Sequence, residues 1–233
     1  MTKAAFIRGA VMLGFMLAAP LASAQNAKDA ATPVGPSWSA EVSPDGSSGI
    51  ALDEQQTKDI QSVSDYFNHL KTLKGKFVQT AADGKVMKGK FMMMRPGKFR
   101  FDYDRPSRQL IISDGTYLAI QDLDVSTEDR VALDQTPFRI LLRDDVDLLR
   151  DARIAEVQTI GDQLLLTLED KSPDSSGKIT LIMNKAPALE LREWITTDAQ
   201  GLDTRIEVVG SVRDEAVDAA NFVITSVSNP FKR

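Results

Sequence analysis

The sequence predicts a mostly β domain of about ten or eleven antiparallel strands, with one long helix before them and one short helical segment among them. After residue 75, apolar and polar residues alternate in short stretches, and this period of two is typical of strands that bury one face. Turn signals such as Asp83-Gly84 and Gly161-Asp162 separate the stretches, and such short connections join antiparallel neighbours. Helical spacing of apolar residues occurs in only two places.

The first helix is predicted to begin after Asp53. Asp53 is a suitable N-cap, and Gln56 stands three residues further on, where a capping box places its second partner. Apolar residues then recur at steps of three and four, which predicts an amphipathic helix ending near Leu73. The residues of this stripe are Ile60, Val63, Tyr66, Phe67, Leu70 and Leu73.

The second helical segment is predicted over 136–149. Thr136-Pro137 has the composition of a helix start, with threonine as the N-cap and proline at the first helical position. Phe138, Leu141 and Leu142 then form a short apolar face. This spacing predicts a short helix, or a helical lid, that packs its apolar side on the sheet.

The N-terminus has the pattern of a secretory signal peptide. Lys3 and Arg8 precede an apolar stretch over 10–21, and Ala22-Ser23-Ala24 is a cleavage signature. We therefore expect residues 1–24 to be removed and the mature protein to begin at Gln25. The Pro- and Gly-rich residues 25–51 are predicted to be a flexible linker, and 52–233 the folded domain.

Composition excludes several classes of function. The formal net charge is −5, and the signal peptide contains basic but no acidic residues, so the mature chain is more acidic still. Nucleic-acid binders carry basic patches, which this charge disfavours. The chain contains no cysteine, so disulfides and cysteine metal sites are excluded. The single histidine, His69, lies within the predicted first helix and is expected at the surface.

No catalytic motif, cofactor motif or metal-binding motif is visible in the sequence. A histidine-dependent triad would need partners that His69 lacks in its vicinity. The carboxylate pairs Asp102/Asp104 and Asp144/Asp145 occupy positions that predict solvated faces. We therefore expect a protein that is not an enzyme and that needs no cofactor or metal ion.

The residues between 92 and 120 form the most apolar part of the predicted sheet. They include Met92, Met94, Phe99, Phe101, Leu110, Ile112, Leu118 and Ile120, all of which could point to one face. Such a face is either an ordinary core or the lining of a cavity that the helices over 52–73 and 136–149 cover. Methionine-rich linings suit variable apolar ligands, but the sequence leaves both possibilities open.

Several blocks, in order between about residues 52 and 222, resemble the LolA family of periplasmic lipoprotein carriers. The blocks are F-V-Q-T (Phe77–Thr80), R-P-G-K-F-R-F-D-Y (Arg95–Tyr103), P-S-R-Q-L-I-I-S-D-G (Pro106–Gly115), Q-T-P-F-R-I-L-L (Gln135–Leu142) and A-V-D-A-A-N-F (Ala216–Phe222). The resemblance implies an unclosed antiparallel β-barrel covered by helices. It also implies a non-enzymatic carrier of triacylated lipoproteins between an inner-membrane ABC-type release complex and an outer-membrane acceptor. A monomer is the simplest expectation for the oligomeric state.

The resemblance also implies roles for particular residues. Arg95 matches the family's arginine that holds the lid closed through backbone carbonyls. Phe99 and Phe101 match the aromatic pair that lines the cavity, and Phe138, Leu141 and Leu142 match the lid helix. With the apolar strand residues named above, these are the expected acyl-chain contacts. An alternative is a half-barrel module that senses lipids or proteins without transporting them; another is a plain structural domain whose apolar face is its core.

Overall fold

The computed structural model of the protein describes residues 50–172 and 177–227, and all structural statements below concern these residues. The predicted signal peptide, 1–24, lies outside them. So does the predicted linker, 25–51, apart from its last two residues. Both therefore stay predictions.

Helix α1, Glu54–His69, begins where the sequence predicts. The backbone N–H of Gln56 donates to Asp53 Oδ1 at 2.7 Å, and the backbone N–H of Asp53 donates to Gln56 Oε1 at 2.9 Å, which confirms the capping box. The predicted end near Leu73 is wrong. Leu70 already has an extended backbone, and Leu73 pairs with Met93 in the sheet. Leu73 is buried in the strand, as it would be in a longer helix, so its apolar side chain is compatible with both structures.

Eleven strands form one antiparallel sheet, which confirms the predicted strand number and the mostly β class. The strands are β1 Thr72–Thr80, β2 Val86–Met94, β3 Lys98–Tyr103, β4 Gln109–Asp114, β5 Tyr117–Asp122, β6 Thr127–Ala132, β7 Ala152–Ile160, β8 Gln163–Asp170, β9 Lys178–Asn184, β10 Glu190–Thr197 and β11 Asp203–Arg213. Their spatial order is β6-β5-β4-β3-β2-β1-β11-β10-β9-β8-β7. Strands β6 and β7 are the two edges of this sheet, so the barrel is not closed.

The chain between β6 and β7, residues 133–151, is called the lid here. It contains a 3₁₀ helix, Leu133–Gln135, and two short α-helices, α2 Arg139–Leu142 and α3 Leu148–Asp151. The predicted helix start at Thr136-Pro137 is wrong by two residues. The Thr136 hydroxyl donates to the carbonyl of Leu133 at 2.7 Å, so it closes the preceding 3₁₀ turn instead of capping α2.

The main core lies between α1, the lid and one face of the sheet, which we call the inner face. Ile60 and Val63 of α1 and Ile140 and Leu148 of the lid are fully buried there, against residues such as Leu166 of β8. His69 is exposed at the end of α1, as predicted. None of the described helices has the length and apolar character needed to cross a membrane.

The C-terminal segment, 219–227, lies on the opposite, outer face of the sheet. It begins with a 3₁₀ helix, Ala219–Phe222, and continues as 223–227 without joining the sheet as a strand. Arg100 Nη1 donates to the carbonyl of Asn221 at 3.2 Å, and Gln121 Nε2 donates to that of Thr225 at 2.8 Å. Strands β4 and β5 therefore have apolar residues on both faces that are buried or partly buried: Ile111 and Leu118 on the inner face, Ile112 and Ala119 on the outer face.

Candidate functional site

An apolar cavity of about 90 Å³ lies between the inner face, α1 and the lid. Its lining residues are Phe67, Leu73, Phe91, Met93, Phe99, Phe101, Phe138, Leu141, Leu142, Ile179, Leu181, Leu191 and Trp194. None of these side chains is ionisable, so the cavity offers contact area and no acid, base or nucleophile. Its chemistry is that of an apolar binding site.

Phe101 is the centre of the aromatic wall of the cavity. Its ring centroid lies 5.0 Å from that of Phe77 and 5.7 Å from that of Phe91. The rings of Phe99 and Trp194 each lie 6.0 Å away. Most of these pairs meet edge to face, the arrangement that aromatic quadrupoles favour. The wall is therefore rigid aromatic surface, contributed by both halves of the sheet.

Two glycines lie opposite aromatic residues of this wall and leave space for the rings of Phe77 and Phe91. Gly89 of β2 stands directly opposite Phe77 of β1, and Gly75 stands opposite Phe91 in the same pair of strands. A Cβ at Gly89 would lie 2.6 Å from the Phe77 ring and 2.2 Å from the backbone carbonyl oxygen of Asp102. Only glycine lets Phe77 lie flat over β2 at this point.

The lid is held to the turn between β2 and β3 by two backbone-directed contacts. The N–H of Gly97 donates to the carbonyl of Leu142 at 2.9 Å. Arg95 Nη2 donates to the carbonyl of the next lid residue, Arg143. Arg95 thus makes the kind of contact that the family resemblance implies.

The guanidinium of Arg95 is only partly satisfied in this position. Its Nε and Nη1 atoms are buried and make no hydrogen bond within the described residues. Burial lowers the pKa of Arg95, and the nearby carboxylate of Asp144 acts in the opposite direction. Desolvation of a charge without full compensation is costly, so the Arg95 contact holds the lid weakly.

The other end of the lid is fastened to α1. The carboxamide of Asn68 accepts from the N–H of Val146 at 2.8 Å and donates to the carbonyl of the same residue at 2.9 Å. Leu148 N–H also donates to the hydroxyl of Ser64 at 3.2 Å. Residues 146–148 are therefore anchored to α1, which places the freer part of the lid before them.

The structure brings together five of the eleven predicted acyl-chain contacts. Those five, which line the cavity, are Phe99, Phe101, Phe138, Leu141 and Leu142. Leu118 and Ile120 lie on the inner face but outside the cavity lining. Leu118 is buried in a cluster with Phe99, Leu133 and Leu142.

The predicted placement of Met92, Met94, Leu110 and Ile112 on the cavity face is wrong. Met92 pairs with Arg100, and Ile112 pairs with the same residue from the other side, so they share the outer face with it. Leu110 pairs with Asp102 on that face, and Met94 follows Met92 at a step of two. Ile112 is nevertheless 2% exposed, since the outer face here is covered by the C-terminal segment.

Sequence reasoning missed the residues that form the other half of the cavity wall. Phe91 and Met93 of β2 occupy the inner face in place of Met92 and Met94. Ile179 and Leu181 of β9, Leu191 and Trp194 of β10, Phe67 of α1 and Leu73 of β1 complete the lining. The alternation of Ile179, Leu181 and Met183 was a usable signal for β9, but nothing local connects it to a strand 80 residues earlier.

An open antiparallel half-barrel with an apolar cavity beneath a helical lid is the architecture that the fold and the site define. A family model described as outer membrane lipoprotein carrier protein LolA matches residues 68–225, so the chain belongs to the LolA family.

Individual relatives agree with this family. An outer-membrane lipoprotein carrier protein of Chromobacterium violaceum is 30% identical over 181 residues, which are 75% of this chain and 86% of that protein. One from Halorhodospira halophila is 29% identical over 183 residues, 74% of this chain and 84% of that protein. A solved structure of a LolA superfamily protein from Nitrosomonas europaea has a TM-score of 0.40 and 13% identity, over 71% of this chain and 97% of that one.

Proposed function

We propose that this protein is a periplasmic carrier that binds the acyl chains of lipoproteins inside its half-barrel. It would receive triacylated lipoproteins from an inner-membrane ABC-type release complex and deliver them to an outer-membrane acceptor. The observation that carries the proposal is a wholly apolar cavity beneath a lid that is fastened by a few polar contacts. Membership of the LolA family, and the names of the two relatives, support the cargo and its route.

The size of the cavity indicates a closed state. At about 90 Å³ it is smaller than the roughly 150 Å³ that accommodates one benzene molecule, and far smaller than any site for a long acyl chain. The inner face is largely filled by its own side chains. Acyl chains therefore enter only when the lid moves away from the aromatic wall and exposes Phe99, Phe101, Met93 and Trp194.

The free energies of transferring acyl chains determine the direction in which such a carrier passes its cargo. Burying an acyl chain contributes about 0.8 kcal/mol per methylene relative to water, so a lipoprotein does not cross an aqueous compartment with bare chains. Lid opening subtracts from the affinity of the carrier, because only the open fraction is competent to bind. A carrier that binds more weakly than the final acceptor passes its cargo on spontaneously.

Native mass spectrometry tests the proposal directly. We expect the mature protein, produced together with a triacylated lipoprotein, to carry one lipoprotein per chain, and the same lipoprotein without its acyl chains not to bind. The acyl chains should be the bound part because the cavity is apolar throughout. Recovery of an empty carrier in the presence of the acylated form would overturn the carrier role.

Replacing Arg95 by leucine should weaken lid closure and retain cargo. The variant loses one charge-assisted hydrogen bond to the Arg143 carbonyl and also removes a poorly solvated charge. Such a bond contributes about 1.5–3 kcal/mol, so we expect cargo affinity to rise and delivery to a purified acceptor to slow by about tenfold.

Arg105→Leu is the matched control for this experiment. Arg105 also precedes a proline in a strand-connecting turn, but it is exposed and, among the described residues, forms no hydrogen bond or ion pair with the lid. The control should deliver cargo at the wild-type rate. Delivery by Arg95→Leu at that same rate would exclude Arg95 from the control of release.

A further inference from the structure

A partly buried ion pair joins helix α2 of the lid to strand β8. Arg139 Nε donates to Asp170 Oδ2 at 2.5 Å, and Arg139 Nη2 donates to Asp170 Oδ1 at 2.8 Å. The side chain of Asp170 is 1% exposed and that of Arg139 is 27% exposed. This parallel, two-bond geometry is the strongest form of arginine–carboxylate contact.

The pair holds α2 from the side opposite to Arg95. Arg95 and Gly97 bind the end of α2 to the turn between β2 and β3, in the half of the sheet that ends at β6. Asp170 belongs to β8, next to the other edge strand, β7. Helix α2 therefore bridges the two halves of the open sheet, with the Arg95 and Gly97 bonds on one half and the Arg139–Asp170 pair on the other.

The two fastenings differ in strength. Arg95 makes one hydrogen bond, to a neutral carbonyl, and its buried Nε and Nη1 atoms have no partner among the described residues. Arg139 makes two hydrogen bonds to a carboxylate, and that carboxylate also accepts from the N–H of Ser172 at 2.8 Å. Both contacts are charge-assisted, but the Arg139 pair carries a charge on each partner and forms two parallel bonds, so it is the stronger of the two.

We propose that the Arg139–Asp170 pair is the principal latch of the lid. Access to the cavity then requires this pair to break even after the hydrogen bonds from Arg95 and Gly97 to the lid have been lost. Loss of both the Arg95 bond and the Gly97–Leu142 bond would detach α2 from one half of the sheet and leave it tied to β8. The assignment of acyl chains as the ligand rests on the proposed function, but the latch itself is a property of the fold. Arg139 and Asp170 act here as positioning residues for the lid.

Hydrogen exchange of the lid amides measures the latch without any ligand. In Arg139→Met the opening of α2 should be favoured by about ten- to hundredfold, the range produced by loss of charge-assisted hydrogen bonds. Exchange should therefore accelerate by that factor at residues 139–142 and stay unchanged in β9. Because this variant leaves Asp170 buried without its partner, the double variant Arg139→Met/Asp170→Asn is measured beside it.

Arg205→Met is the matched control for a general loss of an ion pair. Arg205 of β11 donates from Nε and Nη2 to Glu193 Oε2 of β10, at 3.0 and 2.6 Å, and Glu193 is 12% exposed. This pair is also a partly buried arginine–carboxylate contact, but it joins two strands and does not involve the lid. We expect its loss to leave exchange at 139–142 at the wild-type rate.

Uptake of a pyrene-labelled fatty acid gives the functional readout. Arg139→Met and the double variant should take up the probe about ten- to hundredfold faster than wild type, and the charge-reversed variant Arg139→Asp/Asp170→Arg should restore slow uptake. Unchanged lid exchange in both Arg139 variants, in a folded protein, would overturn the latch. A wild-type protein that never takes up the probe would instead overturn the proposed function, while accelerated lid exchange in the variants would still support the latch.

Discussion

Replacing Met93 by glutamate is expected to abolish acyl-chain binding, whereas the same change at Met92 leaves it almost intact. Met93 lines the cavity and pairs with Phe99, while Met92 lies on the outer face opposite Arg100. A carboxylate facing bound acyl chains would be desolvated without a partner, which costs several kcal/mol. We therefore expect Met93→Glu to weaken binding of a pyrene-labelled fatty acid by about a hundredfold or more.

Met92→Glu is a close control, because the two positions are adjacent in one strand and receive the same charge. Its carboxylate would lie beside the guanidinium of Arg100 on the outer face, so binding should change by less than about threefold. Both variants are first checked by circular dichroism, which establishes that they fold. Equal loss of binding in the two variants would show that acyl chains do not occupy the cavity described here.

Replacing Gly89 by alanine is expected to cause a larger loss of stability than the same change at the other two glycines of the strands, Gly75 and Gly210. The new Cβ would lie 2.2 Å from the backbone oxygen of Asp102 and 2.6 Å from the ring of Phe77. The first of these atoms belongs to the neighbouring strand β3, so relief requires β2 and β3 to separate. We expect the free energy of unfolding in urea to fall by about 3 kcal/mol.

Two variants calibrate this expectation. At Gly75 the nearest atoms to a new Cβ lie at 3.1 Å, so Gly75→Ala should cost less than Gly89→Ala. Lys90 follows Gly89 in β2 and is exposed, so Lys90→Ala should change stability by no more than about 0.5 kcal/mol. If Gly89→Ala were no more destabilising than Lys90→Ala, the close approach of Phe77 to β2 would be incorrect.

Elements specified by local contacts were predictable from the sequence. The capping box of Asp53 and Gln56 lies within one turn of helix, and it fixes the start of α1 without help from the rest of the chain. The turn at Asp83-Gly84 likewise uses a glycine with φ of 80°, a conformation that other residues seldom adopt. Strand number and antiparallel pairing then follow from short connections.

Elements decided by long-range contacts were predicted less well. Leu70 and Leu73 continue the helical spacing of α1, but pairing of Leu73 with Met93 on one side and Arg213 on the other draws this part of the chain into the sheet. Thr136 is a residue type that often caps helices, yet its hydroxyl donates to the carbonyl of Leu133 and so does not cap α2. In both cases two local structures suited the residues, and packing selected one.

In the candidate site, too, some features follow from local sequence and others depend on long-range contacts. The alternation along β2 to β5 separates two sets of residues, but it does not say which set faces inward when both faces are buried. The C-terminal segment covers Ile112 on the outer face, so this face also contains a buried apolar residue. Phe99 and Phe101 line the cavity, whereas Met92 and Met94 lie on the outer face.

The β-rich architecture, the beginning of α1 and the family can be derived from the sequence, because each depends on residues close together in the chain or on motifs in a fixed order. Three features are visible only in the folded chain: the side of the sheet that encloses the cavity, the small volume of that cavity beneath the lid, and the contact between Arg139 and Asp170 across 31 positions of sequence. These features arise from contacts between distant segments, and no local pattern of residues encodes such a contact.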